Sequence, residues 1–177
     1  MSDHHPVTAL VTHRLITVPA YRLVTLSDQD ADADPGSVSL LEEAARDIAA
    51  TDGSTLTISV VQDLLPVGLT VTVVNATPHA AARSVTPLRL DCPSGQLTLG
   101  SPTGSVIGID VEPGTYSVTV EHQGRDAAAT RHQEILHQTS SVDDIEAAVD
   151  STPLTEQYTI TMWRTGDIDD RRRADRS

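Results

Sequence analysis

The sequence predicts a mainly β fold: an antiparallel β-sandwich or partly open barrel of about eight strands with one or two packed helices. Several short stretches alternate apolar and polar residues with the period of two that half-buried strands show. Pro and Gly turn signals separate these stretches at short spacing. Phe is absent and Trp occurs once, so the core must be built from Val, Leu, Ile and Ala, and β-branched side chains suit a pleated sheet.

The clearest element is two strands joined by a tight turn between residues 105 and 121. Residues 106–111 are one predicted strand, and residues 116–120, in which every other residue is apolar, are the next. Pro113 and Gly114 favour a tight turn between them, because Pro restricts φ to about −65° and Gly accepts positive φ. Residues 116–120 are therefore predicted to be a half-buried strand.

The other strands follow from the same pattern. Pro19 ends the first stretch, and residues 21–26 form a second strand or its continuation. Pro66 and the Pro93-Ser94-Gly95 turn separate later strands. The remaining predicted strands are residues 7–18, 56–60, 69–73, 88–90, 97–99 and 158–162.

Helical spacing predicts a first helix between the second and third strands. It begins at Ser39, which forms a capping box with Glu42, and ends at Gly53. Apolar residues at intervals of three and four, up to Ile48, give the helix one face that can pack on a sheet.

The chain is predicted to form a single β-rich domain, residues 1–166, interrupted by an inserted segment, residues 123–156. A short second helix is expected in this segment at residues 142–149, with Ser141 and Asp144 as its capping pair. Residues 167–177 contain almost no apolar side chains and have balanced charge, so we expect a disordered tail.

Charge is the strongest functional signal. The formal net charge is −13, and Lys is absent. Residues 28–63 carry nine acids against the single Arg46, and residues 143–156 carry five acids with no cation. Such a field repels nucleic acid and anionic membranes and favours a basic protein partner, or it serves solubility alone. The candidate binding surface consists of Asp28, Asp30, Asp32, Asp34, Glu42, Glu43 and Asp47.

The predicted location is the cytoplasm. The first residues, Met-Ser-Asp-His-His-Pro, have neither the basic nor the apolar region of a secretory signal. No apolar run approaches the roughly 18 residues of a membrane helix. Cys92 is the one cysteine, which agrees with a reducing compartment.

Two clusters imitate metal sites, but neither has the required spacing. The acids from Asp28 to Asp34 resemble the start of a calcium loop, yet Ala33 replaces the turn Gly and Ser39 replaces the bidentate Glu. His132 and His137 are five residues apart, whereas the zincin motif needs four. We therefore predict neither a metal nor a cofactor.

No nucleophile motif or phosphate-binding loop is present. The nearest match to Gly-x-Ser-x-Gly is residues 100–104, which lack the central Ser. A Cys–His pair built on Cys92 stays open as an alternative, but a lone Cys is more often a small core residue. We expect the protein not to be an enzyme.

The C-terminal half carries a recurring pattern of a strand, Pro-Gly-x-Tyr, a strand, a gap and then x-Tyr-x-Ile-x-x-Trp. Here the pieces are residues 111–120 and 156–163, with residues 93–99 upstream. In this pattern the chain resembles a group of small bacterial proteins similar to the competence nuclease inhibitor, the Nin or ComJ family. The resemblance implies a small cytoplasmic protein that binds and blocks a nuclease. The gap before Tyr158 is longer here, so no binding residues are carried over.

Two hypotheses follow. The first is a non-enzymatic acidic binding protein, an inhibitor or immunity protein for a basic partner such as a nuclease. The second is a structural or assembly module, in which a sheet edge or Trp163 mediates contacts between proteins. Trp163 is out of phase with the apolar residues of the last strand, so it either anchors a partner or covers the sheet beneath the inserted helix. The oligomeric state is left open.

Overall fold

The computed structural model describes residues 8–31, 38–78 and 86–168. Ten strands in these residues form two five-stranded sheets, which confirms the predicted β-sandwich class with no closed barrel. The first sheet has the order β1-β5-β10-β9-β6. Its strands are β1 Ala9–Thr17, β5 Val67–Val74, β6 Leu88–Cys92, β9 Gly114–Gln123 and β10 Gln157–Gly166.

The second sheet has the order β3-β4-β2-β7-β8. Its strands are β2 Leu23–Asp28, β3 Ala49–Thr51, β4 Thr55–Ser59, β7 Gln96–Gly100 and β8 Val106–Asp110. The two strands predicted in residues 105–121 lie in different sheets, because β8 pairs with β7 and β9 pairs with β10 and β6. The turn at Pro113 and Gly114 carries the chain from one sheet to the other.

All neighbouring strands are antiparallel except β5 and β10, which run parallel with Tyr158 opposite Leu69 and Met162 opposite Val73. Parallel strands need a crossover connection. Here the chain returns through β6 to β9 and the inserted segment before it reaches β10. Strand β10 thus occupies the centre of its sheet, flanked by β5 and β9.

The core fills the space between the two sheets. Buried aliphatic side chains from both sheets form one cluster, together with Tyr116, Tyr158 and Met162. Every other residue of β10 from Tyr158 to Met162 is buried, as the period-two pattern predicts. A core without Phe is thus closed by Val, Leu and Ile, with two tyrosines as its largest members.

The first helix, α1, spans Val38–Asp47 and is shorter than predicted. Ile48 adopts a positive φ of 74°, which ends the helix, and Ala49–Thr51 then pairs with β4. The residues directly before Val38 lie outside the described part of the chain, so the predicted cap at Ser39 stays a prediction. The buried residues Leu40 and Ala44 pack α1 on the second sheet through a small cluster separate from the main core.

The inserted segment holds two helices, α2 Arg125–Gln138 and α3 Val142–Asp150. Helix α3 lies where the sequence predicts it, and the Ser141 hydroxyl accepts the predicted capping hydrogen bond from the Asp144 amide at 3.2 Å. Helix α2 was not predicted. Its apolar stripe is weak, and one of its three buried residues is His132.

The proposed disordered tail lies outside the described residues from position 169 onward. The division into residues 1–166 and 167–177 therefore stays a prediction. In the described part of the chain, none of the helices is both long and apolar enough to cross a membrane.

Candidate partner-binding surface

Helix α1 presents carboxylates to solvent. Glu42, Glu43 and Asp47 are exposed, and Asp30 is exposed on the loop that follows β2. Arg46 on the same helix lies 3.4 Å from the Asp47 carboxylate, and both side chains are more than half exposed. Because the opposite face of α1 is packed on β3 and β4, the helix holds these acids on a fixed support. Asp32 and Asp34 lie outside the described residues.

Asp28 does not belong to this surface, which corrects the sequence interpretation. It is only 2% exposed. One carboxylate oxygen accepts from the Asp30 amide at 2.9 Å, and the other accepts from the Ser94 amide at 3.0 Å and the Ser94 hydroxyl at 2.7 Å. Asp28 therefore organises two loops at the end of β2, as buried carboxylates with several donors commonly do.

Cys92 is buried beside Asp28 and is not poised for nucleophilic chemistry. Burial, together with the Asp28 carboxylate, raises the pKa of the Cys92 thiol to about 12. A catalytic thiol needs the opposite shift, toward the thiolate at neutral pH. The environment of Cys92 is that of a core residue.

The second acidic block is divided by burial. Asp143, Asp144, Glu146 and Asp150 are exposed on α3, which has no buried residue. Glu156 is 1% exposed at the start of β10. Helix α3 packs against α2, whereas α1 packs against β3 and β4, so the two acidic blocks are carried by different parts of the fold.

The Glu156 carboxylate is the centre of a buried polar cluster that the sequence analysis missed. Its Oε1 accepts from the Val61 amide at 3.0 Å and from the Tyr158 hydroxyl at 2.6 Å. Its Oε2 accepts from Gln62 Nε2 at 3.1 Å. Burial, followed by the hydrogen bond to Glu156, raises the pKa of Tyr158, so its hydroxyl stays a donor at neutral pH.

Arg125 joins the inserted segment to this cluster. Its Nη1 donates to the Tyr158 hydroxyl at 2.5 Å and to the Ser59 carbonyl at 2.6 Å. Gly124, with φ of 77°, makes the turn into α2, and a Cβ there would overlap the Thr155 carbonyl. The first residues of α2 are thereby fixed to the ends of β4 and β10.

The histidines of α2 do not converge on one point. His132 is buried, and its Nε2 lies 3.7 Å from the Asp63 carboxylate. Glu134 pairs with Arg131 at 3.3 Å, and His137 contacts the carbonyl of Gln133 at 2.7 Å. Among residues 8–31, 38–78 and 86–168, no three His, Cys, Asp or Glu side chains are grouped so that they could hold a metal ion.

Trp163 lies on the outer face of the first sheet, in register with Val74 and Ser117. Only 4% of it is exposed. The indole is therefore not part of the accessible surface in this conformation, and its exposure gives no support to a role as a contact anchor.

A groove opens at the end of the sandwich opposite α2. It has a volume of about 520 Å³ and lies between the start of β1, the end of β5 and the residues that follow β8. Its apolar walls are formed by Leu10, Val11, Val73, Val74, Val111 and Tyr116. No motif in the sequence marks this groove.

The geometry defines the class as a two-sheet β-sandwich with helices inserted before the last strand. Two solved structures are similar to this chain. One is the crystal structure of ComJ, inhibitor of the DNA degrading activity of NucA, from Bacillus subtilis. The TM-score is 0.56 at 10% sequence identity, and the match covers 91% of this chain and 100% of that chain.

The other is described as crocagin biosynthetic gene J, with a TM-score of 0.49, 15% identity, and coverage of 88% of this chain and 99% of that chain. No family model and no curated protein sequence matches the chain. The resemblance to the ComJ group is therefore confirmed at the level of the fold.

Proposed function

We propose that this protein is a non-enzymatic acidic binding protein that acts as an inhibitor or immunity protein for a basic partner such as a nuclease. The observation that carries the proposal is the fold shared with the whole ComJ chain, since ComJ is described as an inhibitor of the DNA degrading activity of NucA. The net charge of −13 supports the basic character of the partner.

Electrostatic complementarity gives the physical reason. Nucleases bind a polyanion, so their substrate-binding surfaces are basic. An acidic protein can occupy such a surface, and the charges raise the association rate at low salt. Glu42, Glu43 and Asp47 suit this role because α1 holds them outward on a packed support.

Capture of a partner from the lysate of the source cell, on the immobilised protein, tests the proposal. We expect a basic protein with nuclease activity that elutes with rising salt and is inhibited by the free protein at one to one. The triple variant Glu42→Gln, Glu43→Gln, Asp47→Asn should weaken binding about tenfold, from roughly 0.5 kcal/mol for each exposed charge.

Neutralisation of Asp143, Asp144 and Glu146 on α3 is the matched control, because it changes the net charge equally at another site. Equal weakening by both variants would show that only net charge matters. Binding that responds neither to salt nor to the α1 variant would contradict the proposal.

The second candidate function is a structural or assembly module. It is favoured by the two edge strands β1 and β8, which each pair on one side only within the described residues. Leu10, Ile16 and Val106 on these strands are 58% to 64% exposed. Light scattering separates the candidates, because an oligomer that grows with concentration and ignores salt supports assembly.

A further inference from the structure

The two long sides of the sandwich are closed differently. On one side the edge strands β3 and β6 are joined: the Asp91 amide donates to the Gly53 carbonyl at 2.7 Å, and the Thr51 hydroxyl donates to the Arg89 carbonyl at 2.8 Å. On the other side β1 and β8 face each other without ladder pairing in the described residues. The groove of about 520 Å³ lies at one end of this open side.

A bulge in β1 places an apolar side chain at the mouth of the groove. Ala9 pairs with Val74 and Val11 pairs with Val73, so Leu10 is the extra residue. Bulges re-aim a side chain and commonly occur on edge strands. Leu10 lines the groove and is 64% exposed.

The rim of the groove carries an excess of negative charge. Asp110 is exposed and forms no ion pair among the described residues. Arg164 is the one cation lining the groove. It lies 3.6 Å from the Glu112 carboxylate and also pairs with Asp167. Arg164 is thus already paired with two carboxylates, which leaves Asp110 available to a cation from outside.

We propose that this groove receives a segment of the basic partner, with one aliphatic or aromatic side chain entering between β1 and Tyr116 and an adjacent Arg or Lys pairing with Asp110. The inference rests on the proposed function and names its contact surface. A volume of about 520 Å³ falls within the roughly 300–1,000 Å³ of specific binding pockets. Apolar anchors that fill such pockets dominate the energies of many interfaces.

The test is an NMR titration of the ¹⁵N-labelled full chain with the peptide Ac-Arg-Leu-Arg-NH₂. We expect saturable shifts of the amides of Val11, Val73 and Val111, with a dissociation constant in the millimolar range. Ac-Arg-Gly-Arg-NH₂ should lose the apolar contact and Ac-Glu-Leu-Glu-NH₂ the ionic one, each binding at least fivefold more weakly. Asp110→Asn should weaken binding of the first peptide severalfold, whereas Asp126→Asn, at an exposed residue of α2, should not.

Three results would overturn the proposal. Shifts confined to α1 that are equal for the Leu and Gly peptides would show purely ionic binding elsewhere, and the proposed inhibitor function would survive. If the amide signals of Leu10 and Val11 broaden as the protein concentration rises without peptide, a second copy of the chain occupies the groove. Peptide binding that appears only after removal of residues 1–7 would assign it to the chain's own N-terminal segment.

Binding assays with the captured partner distinguish a failure of this inference from a failure of the proposed function. Leu10→Ser should weaken partner binding, and Ile16→Ser, an equally exposed residue of the same strand, should not. If the α1 triple variant weakens binding of the partner and Leu10→Ser leaves this binding unchanged, the groove is not the contact surface. If no basic partner is captured at all, the proposed function itself fails.

Discussion

Replacing Glu156 with Ala should cost about 3 kcal/mol of unfolding free energy. Its carboxylate is 1% exposed and accepts from three donors. The part-buried Val61 amide has no other acceptor among the described residues, and the loss of its acceptor costs up to about 2 kcal/mol. Tyr158 retains the Ser59 carbonyl at 3.3 Å and Gln62 retains the Leu65 carbonyl at 3.0 Å, so each loses about 0.5 kcal/mol.

Urea unfolding followed by circular dichroism measures the effect. With a slope of about 2 kcal/mol/M, the midpoint should fall by about 1.5 M. Glu146→Ala, on exposed α3, is the control and should stay within about 0.5 kcal/mol of the wild type.

Glu156→Gln provides a second measurement if the Ala variant does not fold. It keeps one acceptor oxygen but places an amide nitrogen against Gln62 Nε2, so about 1 to 2 kcal/mol should be lost. The Gln62 amide cannot simply turn over, because its oxygen accepts from the Leu64 and Leu65 amides. A loss below about 1 kcal/mol for Glu156→Ala would show that the cluster does not hold the inserted segment in place.

Three further predictions concern the same core. Gly124→Ala should cost about 3 kcal/mol, from positive φ and overlap with the facing carbonyl, whereas Gly108→Ala, where a Cβ meets open space, should be neutral in the same urea assay. Cys92, with a pKa of about 12 and no exposure, should not react with a thiol reagent at pH 8 until urea unfolds the chain, and rapid labelling of the native protein would contradict this. Burial raises the pKa of Cys92 and Tyr116 to about 12 and also raises that of Tyr158, so the folded state holds these protons more tightly than the unfolded state. Stability should be constant up to about pH 9 and fall as pH rises toward 12, and unfolding free energies that stay flat across this window would refute the assignment.

The spacing of apolar and capping residues predicts the elements that are determined by contacts between residues close in sequence. Period-two alternation identified β10 because its buried residues face a single core. Helix α3 was predicted because the two residues of its capping pair, Ser141 and Asp144, are only three positions apart. In both cases the determining contacts are close in sequence or repeat regularly.

Elements that depend on contacts between residues far apart in sequence were not predicted. The parallel pairing of β5 with β10 depends on a crossover of more than eighty residues, which no local signal specifies. Strand β3 was assigned to α1, because the end of that helix is set by Ile48 and by pairing with β4.

The candidate surface shows the same limit. Asp28 and Glu156 look like members of acidic surface blocks, yet each is buried by donors from distant segments: Ser94 for Asp28, and Val61 and Gln62 for Glu156. The composition gives the number of charged residues but does not show which of them are exposed to solvent in the folded protein. The groove has no signature in the sequence either, since its walls come from five different strands and from the residues after β8.

The most direct test of the account is inhibition of the captured basic nuclease by the wild-type protein and by the Glu42→Gln, Glu43→Gln, Asp47→Asn variant, at about 50 mM and about 300 mM salt. We expect stoichiometric inhibition by the wild type at low salt. The variant should inhibit about tenfold more weakly, and the difference should shrink at high salt. Equal inhibition by both proteins at both salt concentrations would contradict the claim that exposed carboxylates on α1 bind the partner.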